Sequence, residues 1–208
     1  MKTKTFLFAL LAIVAFAFGV SPIRAQDSAN ATAKTAVLAG GCFWCMQKPY
    51  DQTPGVLKTV VGYSGGSEVN PTYEQVSGKK TGHREVIQVT YDPTKVSYDQ
   101  LLDVFWRQIN PTQADGQFAD RGLPYKAAIF YANAEEKKLA EASKAKLAAS
   151  GKFDKPIVTE LLQAAPFYPA EEYHQMYYKK NAADYQAYYV GSGRAGFLEK
   201  TWGKEAKP

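Results

Sequence analysis

The sequence predicts an α+β domain of the ferredoxin-like split β-α-β type, extended by an additional helix, an additional strand and a long C-terminal segment. Three observations lead there. Short β-branched runs bounded by glycine or proline alternate with helical patterns in the order strand, helix, two strands, helix, strand, which is the split β-α-β order. An alanine-rich, charged stretch and one more β-branched run follow, supplying the extra helix and strand. No internal repeat or linker interrupts the 208 residues, so one domain with a substantial core is expected.

The chain opens with Lys2 and Lys4 ahead of residues 6–20, which hold no charge and no proline; Ser21-Pro22-Ile23-Arg24-Ala25 comes next. That apolar run is shorter than the roughly 20 residues that span a bilayer, and Ala25 is a small residue at a cleavage point. Residues 1–25 are therefore expected to be a secretory signal peptide, and the protein to be exported, to a periplasm or outside the cell. An uncleaved membrane anchor is the alternative. Residues 26–34, rich in Ala, Ser, Asn and Thr, are expected to be a flexible leader, with the single domain spanning 35–208.

Residues 36–39 read as the first strand, and Gly40 and Gly41 permit a tight turn before a helix beginning near Met46. Pro54-Gly55 marks a turn, and residues 56–63 form a β-branched second strand bounded by Ser64-Gly65-Gly66. The polar stretch 64–82 is a long loop in which Pro71 starts a short helix through Val76; insertions of this length tend to carry function. Residues 85–91 form the third strand. Alternation along it puts Glu85 on the face of Ile87, Val89 and Tyr91, where partial burial would raise its pKa, whereas a solvated strand end is the plain alternative.

Ser97 and Gln100 resemble a capping box, and Leu101, Leu102, Val104, Phe105 and Ile109 recur at helical spacing, so a helix should run to about Asn110. Residues 112–124 form a second long loop and 127–131 the fourth strand. A helix over 133–149, capped by Asn133 and stopped by Gly151, leads to a fifth strand over 156–162. Past Pro166 comes an aromatic, partly helical segment reaching Tyr189, and then a glycine-bearing tail.

The whole is organised around Gly40-Gly41-Cys42-Phe43-Trp44-Cys45, which holds the only two cysteines of the chain. A helix start near Cys42 supplies partial positive charge and free N–H groups that favour a thiolate, the reactive form of the side chain. Phe43 and Trp44 add an apolar wall. A disulfide across two intervening residues closes a very small loop and restrains the unfolded chain little, so a cycling bridge is a better account than a staple. A buried pair of small hydrophobes is the bland reading. His83 and His174 lack regular ligand spacing, so no metal is expected. His83 is expected to order the loop before Glu85.

Of the formal net charge of +5, three positive groups (Lys2, Lys4 and Arg24) lie in the expected signal peptide, and no basic stripe interleaves with aromatics. Nucleic acid is thereby excluded as an expected partner. Phosphate-loop and dinucleotide fingerprints are also missing.

Five further blocks complete a pattern. GGCFWCM, GYSGG, NPTYEQV, TGHREVI, QFADRGLPYKAAIFY and PFYPAEEYHQMYYKKN, in this order, resemble the peptide methionine sulfoxide reductase A family over roughly residues 35–202. The resemblance implies a thiol-dependent reductase of protein-bound, and also free, methionine S-sulfoxide that repairs oxidised proteins, with no bound cofactor. By similarity Cys42 is the nucleophile and Glu85 the acid, while Tyr73 and Tyr125 hydrogen-bond the sulfoxide oxygen and Asp120 shares their pocket. Phe43 and Trp44 resemble the cradle for the methionine methyl group, and His174 supports that pocket or packs beside it.

In many relatives the resolving cysteine lies in a glycine-rich C-terminal tail, but residues 191–208 here contain none. Cys45, at a position where many relatives have glycine, resembles the variant whose resolving thiol sits inside the motif. This implies a Cys42 sulfenic acid, then a Cys42–Cys45 disulfide returned to dithiol by a thioredoxin-like partner. The chain is expected to act as a monomer. Two rivals stand beside this reading: a thiol-disulfide oxidoreductase acting on protein disulfides, and a secreted binding domain with an inert staple.

Overall fold

The computed structural model describes Met1 and residues 33–206. The expected signal peptide, Met1 aside, and nearly all of the expected leader lie outside the described residues. The elements are β1 (Lys34–Ala39), α1 (Phe43–Asp51), β2 (Val56–Ser64), α2 (Tyr73–Ser77), β3 (Arg84–Tyr91) and α3 (Tyr98–Trp106). A hairpin of β4 (Gly116–Gln117) and β5 (Asp120–Arg121) precedes a 3-10 turn at Leu123–Tyr125. Then come β6 (Ala128–Tyr131), α4 (Ala134–Ala149), β7 (Glu160–Gln163) and β8 (Tyr168–Pro169). Three helices close the chain: α5 (Tyr177–Lys180), α6 (Ala182–Gly191) and α7 (Arg194–Trp202).

Six strands make one sheet in the order β7-β6-β1-β3-β2-β8. Its middle four, β6-β1-β3-β2, are antiparallel neighbours, the arrangement of a split β-α-β sandwich, as expected. β7 runs parallel to β6 through the α4 crossover, and β8 pairs with the far end of β2. Leu38, Ile87 and Val89 on the sheet meet Met46 and Tyr50 of α1 and Leu101 and Phe105 of α3 in the main core. Each such aliphatic side chain contributes on the order of 1.5–3 kcal/mol on burial. The Tyr50 hydroxyl donates to the Leu101 carbonyl at 2.9 Å, joining the two helices across that core.

The first strand begins at Lys34, the last residue of the expected leader, instead of at Ala36, because Lys34 and Thr35 pair with Tyr91 and Thr90 of β3. Four further differences from expectation also have local reasons. α1 begins at Phe43 instead of near Met46, because Gly41 at φ +81° reverses the chain and makes Cys42 the N-cap. α3 ends at Trp106, short of Asn110, whose N–H and C=O are both taken by the Gln117 side-chain amide at 2.8 and 2.9 Å. The fifth expected strand is confined to Glu160–Gln163, since β6 offers only four partners, from Ala128↔Glu160 to Tyr131↔Gln163. The glycine-bearing tail is a helix, α7, entered through Gly193 at φ +86°.

Candidate active site

The turn that launches α1 has little room. A Cβ on Gly41 would lie 2.5 Å from the Gln117 Cβ and 3.0 Å from an Arg194 nitrogen, and one on Gly40 would lie 2.3 Å from the Met46 sulfur. The backbone of the motif is therefore clamped between the β4–β5 hairpin and α7. Cys42 is 6% exposed and Cys45 fully buried, and both are free thiols. The Cys45 N–H donates to the Cys42 carbonyl at 3.1 Å, and the two thiols are hydrogen-bonded.

The thiols titrate as a pair. Burial, then the hydrogen bond and charge of Cys45, push the Cys42 thiol well above the ordinary range. Burial opposes ionisation at Cys45 too, but there the hydrogen bond from Cys42 and the Arg194 guanidinium hold the thiol below it. One negative charge on the pair is favoured and a second is strongly opposed. The helix start alone thus leaves Cys42 protonated, because burial outweighs it.

Glu85 is 2% exposed and stands where β3 meets the start of α1; its Oε2 accepts from the Phe43 N–H at 3.0 Å. The alternation of β3 is as expected, with Ile87 and Val89 on the same face entering the main core. Burial, then the Cys42 charge, raises the Glu85 pKa well above the carboxylate range, so the side chain holds a proton.

Tyr73 begins α2 and Tyr125 ends the 3-10 turn. Burial and then the Glu85 charge push Tyr73 up to about 12 and Tyr125 higher still. Both feel Cys42 and Asp120 as well, so the two loops deliver their hydroxyls to one locality. Asp120, on β5, accepts from the Tyr188 hydroxyl, and burial raises its pKa despite that bond and the Arg194 charge.

Phe43 is buried against Tyr63, Val61 and Val76, and Trp44 packs at the edge of the same cluster. Trp44 stacks on Tyr177 at a centroid distance of 3.8 Å and an angle of 8°, and its indole N–H donates to His174 Nδ1 at 3.1 Å. His174 therefore carries its proton on Nε2, which has no hydrogen-bond partner among the described residues. Its ring lies 5.0 Å from Phe43 and 4.4 Å from Tyr73, and burial lowers its pKa. His83 is spent on the loop before Glu85, where its ring bonds Gly66 N–H and the Glu68 carbonyl. Among the described residues no group of three or more His, Cys, Asp or Glu side chains converges as a metal site.

All eight catalytic and substrate-binding residues expected from the sequence, with His174, thus gather around the start of α1. Sequence reasoning missed four others. Arg194, 1% exposed, donates to the Gly40 carbonyl at 2.9 Å and to the Gln108 carbonyl, and lies 4.5 Å over the Phe118 ring. Tyr188 holds Asp120, and Tyr185 packs directly on the two cysteines. Glu171 accepts from the Tyr63 hydroxyl and the Tyr73 N–H, each at 2.8 Å, fixing α2 against the sheet. The tyrosine density of residues 173–189 was the one signal available for two of them.

Such an arrangement can do definite chemistry. A sulfur nucleophile faces a protonated carboxyl and neutral phenols, which suits attack on an atom whose bound oxygen must be protonated as its bond breaks.

The family profile described as Peptide methionine sulfoxide reductase matches residues 34–206. The peptide methionine sulfoxide reductase MsrA of Bacillus pumilus (strain SAFR-032) is 60% identical over 167 residues, covering 80% of this chain and 94% of that protein. Among solved structures, Mxr1 from Saccharomyces cerevisiae in reduced form superposes with a TM-score of 0.69 at 32% identity, over 73% of this chain and 87% of that one. Mxr1 in complex with Trx2 gives 0.51 at 26% identity, over 71% and 86%.

Proposed function

The chain belongs to the peptide methionine sulfoxide reductase family and is an enzyme that reduces methionine sulfoxide, and on that premise we propose how its residues divide the reaction. Cys42 attacks the sulfoxide sulfur. Glu85 gives its proton to the sulfoxide oxygen and recovers one from the thiol; the resulting hydroxyl then passes from the substrate sulfur to the Cys42 sulfur as the newly formed sulfur–sulfur bond breaks, leaving methionine and a Cys42 sulfenic acid. Tyr73 and Tyr125 hold the oxygen by hydrogen bonds, with Asp120 shaping the same pocket, and Phe43 and Trp44 take the methyl group while His174 steadies Trp44.

The observation that carries this reading is Glu85: a carboxyl buried to 2%, held by the N–H of the residue after Cys42 and kept protonated by burial. An inert staple has no use for such an acid. The S epimer is the proposed substrate form, in proteins or as the free amino acid.

Cys45 then attacks the sulfenic acid, releasing water and forming a Cys42–Cys45 disulfide. Two features support this step. The thiols already share a hydrogen bond, and Pro49 supplies no N–H to the Cys45 carbonyl, so the first turn of α1 has one bond fewer to lose as the sulfurs close. A thioredoxin-like dithiol restores the enzyme; the complex of the related Mxr1 with Trx2 supports that choice. An exported protein acting on oxidised exported proteins follows from the proposed signal peptide.

The experiment is a comparison of Cys45→Ser with the parent protein. The variant should convert one equivalent of sulfoxide per enzyme and then stop, with thioredoxin unable to restart it. Undiminished steady-state turnover with thioredoxin would remove Cys45 from the cycle.

A further inference from the structure

The two sulfurs of the pair are covered unequally. Both cysteines share a cluster with Tyr185, flanked by Tyr177, Tyr178, Tyr188 and Tyr189 of α5 and α6, but within it Cys45 is fully buried while Cys42 is 6% exposed. Those helices are fastened down: Tyr178 donates to Asp51 of α1 at 2.7 Å, the Met176 N–H to Gln47 at 2.8 Å, and Tyr188 to Asp120. Cys42 sits at the N-cap, on the side of the motif where Phe43, Glu85 and the pocket residues lie, and retains some exposure.

Thiolate exchange at a disulfide is directional, since the attacking sulfur approaches one sulfur from the side opposite to the other, which departs with the bonding electrons. Approach to Cys45, which has no exposed surface, would have to displace the side chains that cover it. Approach to Cys42 comes from the pocket side.

We propose that the reducing dithiol attacks Cys42, not Cys45, and that Cys45 departs as a thiolate whose charge is balanced by the buried Arg194 guanidinium. This inference rests on the Cys42–Cys45 disulfide of the proposed cycle. In the step, the bond between the reductant's sulfur and Cys42 forms as the Cys42–Cys45 bond breaks, and its electron pair goes to Cys45. The second thiol of the reductant then displaces Cys42, so the reductant leaves oxidised, and the protons it releases restore the enzyme's thiols. Arg194 suits this part as a positioning residue. It is fixed by the Gly40 and Gln108 carbonyls and the Met46 sulfur, and its charge already favours ionisation at Cys45.

Full-length protein is oxidised with one equivalent of methionine sulfoxide, the cross-linked peptide is mapped, and the sample is mixed with a thioredoxin whose second active-site cysteine is replaced by serine. After acid quenching and proteolysis, thioredoxin should be joined to Cys42, with Cys45 free to react with an alkylating probe. Thioredoxin joined to Cys45 overturns the inference alone, whereas no Cys42–Cys45 cross-link in the first step overturns the functional reading together with it. A second arm follows reduction of the oxidised enzyme by ordinary thioredoxin between pH 6 and 9. Arg194→Gln should slow it about tenfold at pH 7 and steepen its pH dependence, with Arg194→Lys restoring most of the rate, as a poorer leaving thiol requires. Equal rates and profiles for parent and Arg194→Gln would remove Arg194 from the step.

Discussion

Glu85 Oε2 and the Phe43 N–H are joined by a 3.0 Å hydrogen bond that ties the start of β3 to the first turn of α1. Glu85 and the residue after Cys42 are thereby fixed to each other across 42 positions of sequence. Burial of that carboxyl keeps it protonated, and its proton is what a sulfoxide oxygen needs on leaving.

Replacing Glu85 with Gln keeps the shape and removes the proton donor. The single-turnover rate of Glu85→Gln should fall by about 10²–10⁴-fold, with substrate affinity changed far less. Rapid-quench measurement of methionine formed in one turnover checks this. An unchanged rate would exclude Glu85 as the acid.

The same group sets two pH dependences. Its folded pKa is raised, so the parent's oxygen-transfer rate should fall as pH climbs through that raised value, and Glu85→Gln should lack this descending limb. For stability the sign is equally definite. The contribution of protonated Glu85 is complete below its unfolded pKa of about 4.3 and is lost as pH rises through the folded one. Urea denaturation should therefore show Glu85→Gln gaining on the parent between pH 4 and pH 8. A stability difference independent of pH would contradict a buried, protonated Glu85.

Tyr73 and Tyr125 stay neutral donors across the physiological range, since both are pushed upward by burial and by the Glu85 charge. Tyr73→Phe and Tyr125→Phe should each lower kcat/KM by about 10²-fold, the usual effect of deleting one donor to a developing oxyanion. Loss of stability with normal kinetics would mark them as filler.

Gly41 is required twice over, by φ +81° and by the Gln117 Cβ lying 2.5 Å from where its own Cβ would be. Gly41→Ala should cost about 3 kcal/mol or more, whereas Gly151→Ala, at φ +69° with nothing within 4 Å, should cost only the backbone strain of about 1–2 kcal/mol. Chemical denaturation of the two variants separates the terms. Equal losses would mean that the hairpin does not clamp the motif.

Much of this was legible in the sequence because the informative signals are local. The split β-α-β order followed from runs and caps, and Glu85 was aimed at the core by alternation along one strand. The motif resemblance then supplied Cys42, Tyr73, Asp120 and Tyr125. Arg194 was not legible, since its meaning comes from the Gly40 carbonyl 154 positions away. Glu171 likewise acts through Tyr63 and Tyr73, about a hundred positions earlier. The early start of α1 escaped too, because it depends on Gly41 being pressed between Gln117 and Arg194, a contact that no local pattern encodes.

Mass analysis of the wild-type protein after one turnover with a methionine sulfoxide peptide tests the central claim most directly. The account predicts one methionine per enzyme, loss of both thiols and a cross-linked peptide joining Cys42 to Cys45. Methionine formation with Cys45 still free, or loss of the thiols without any methionine, would contradict it.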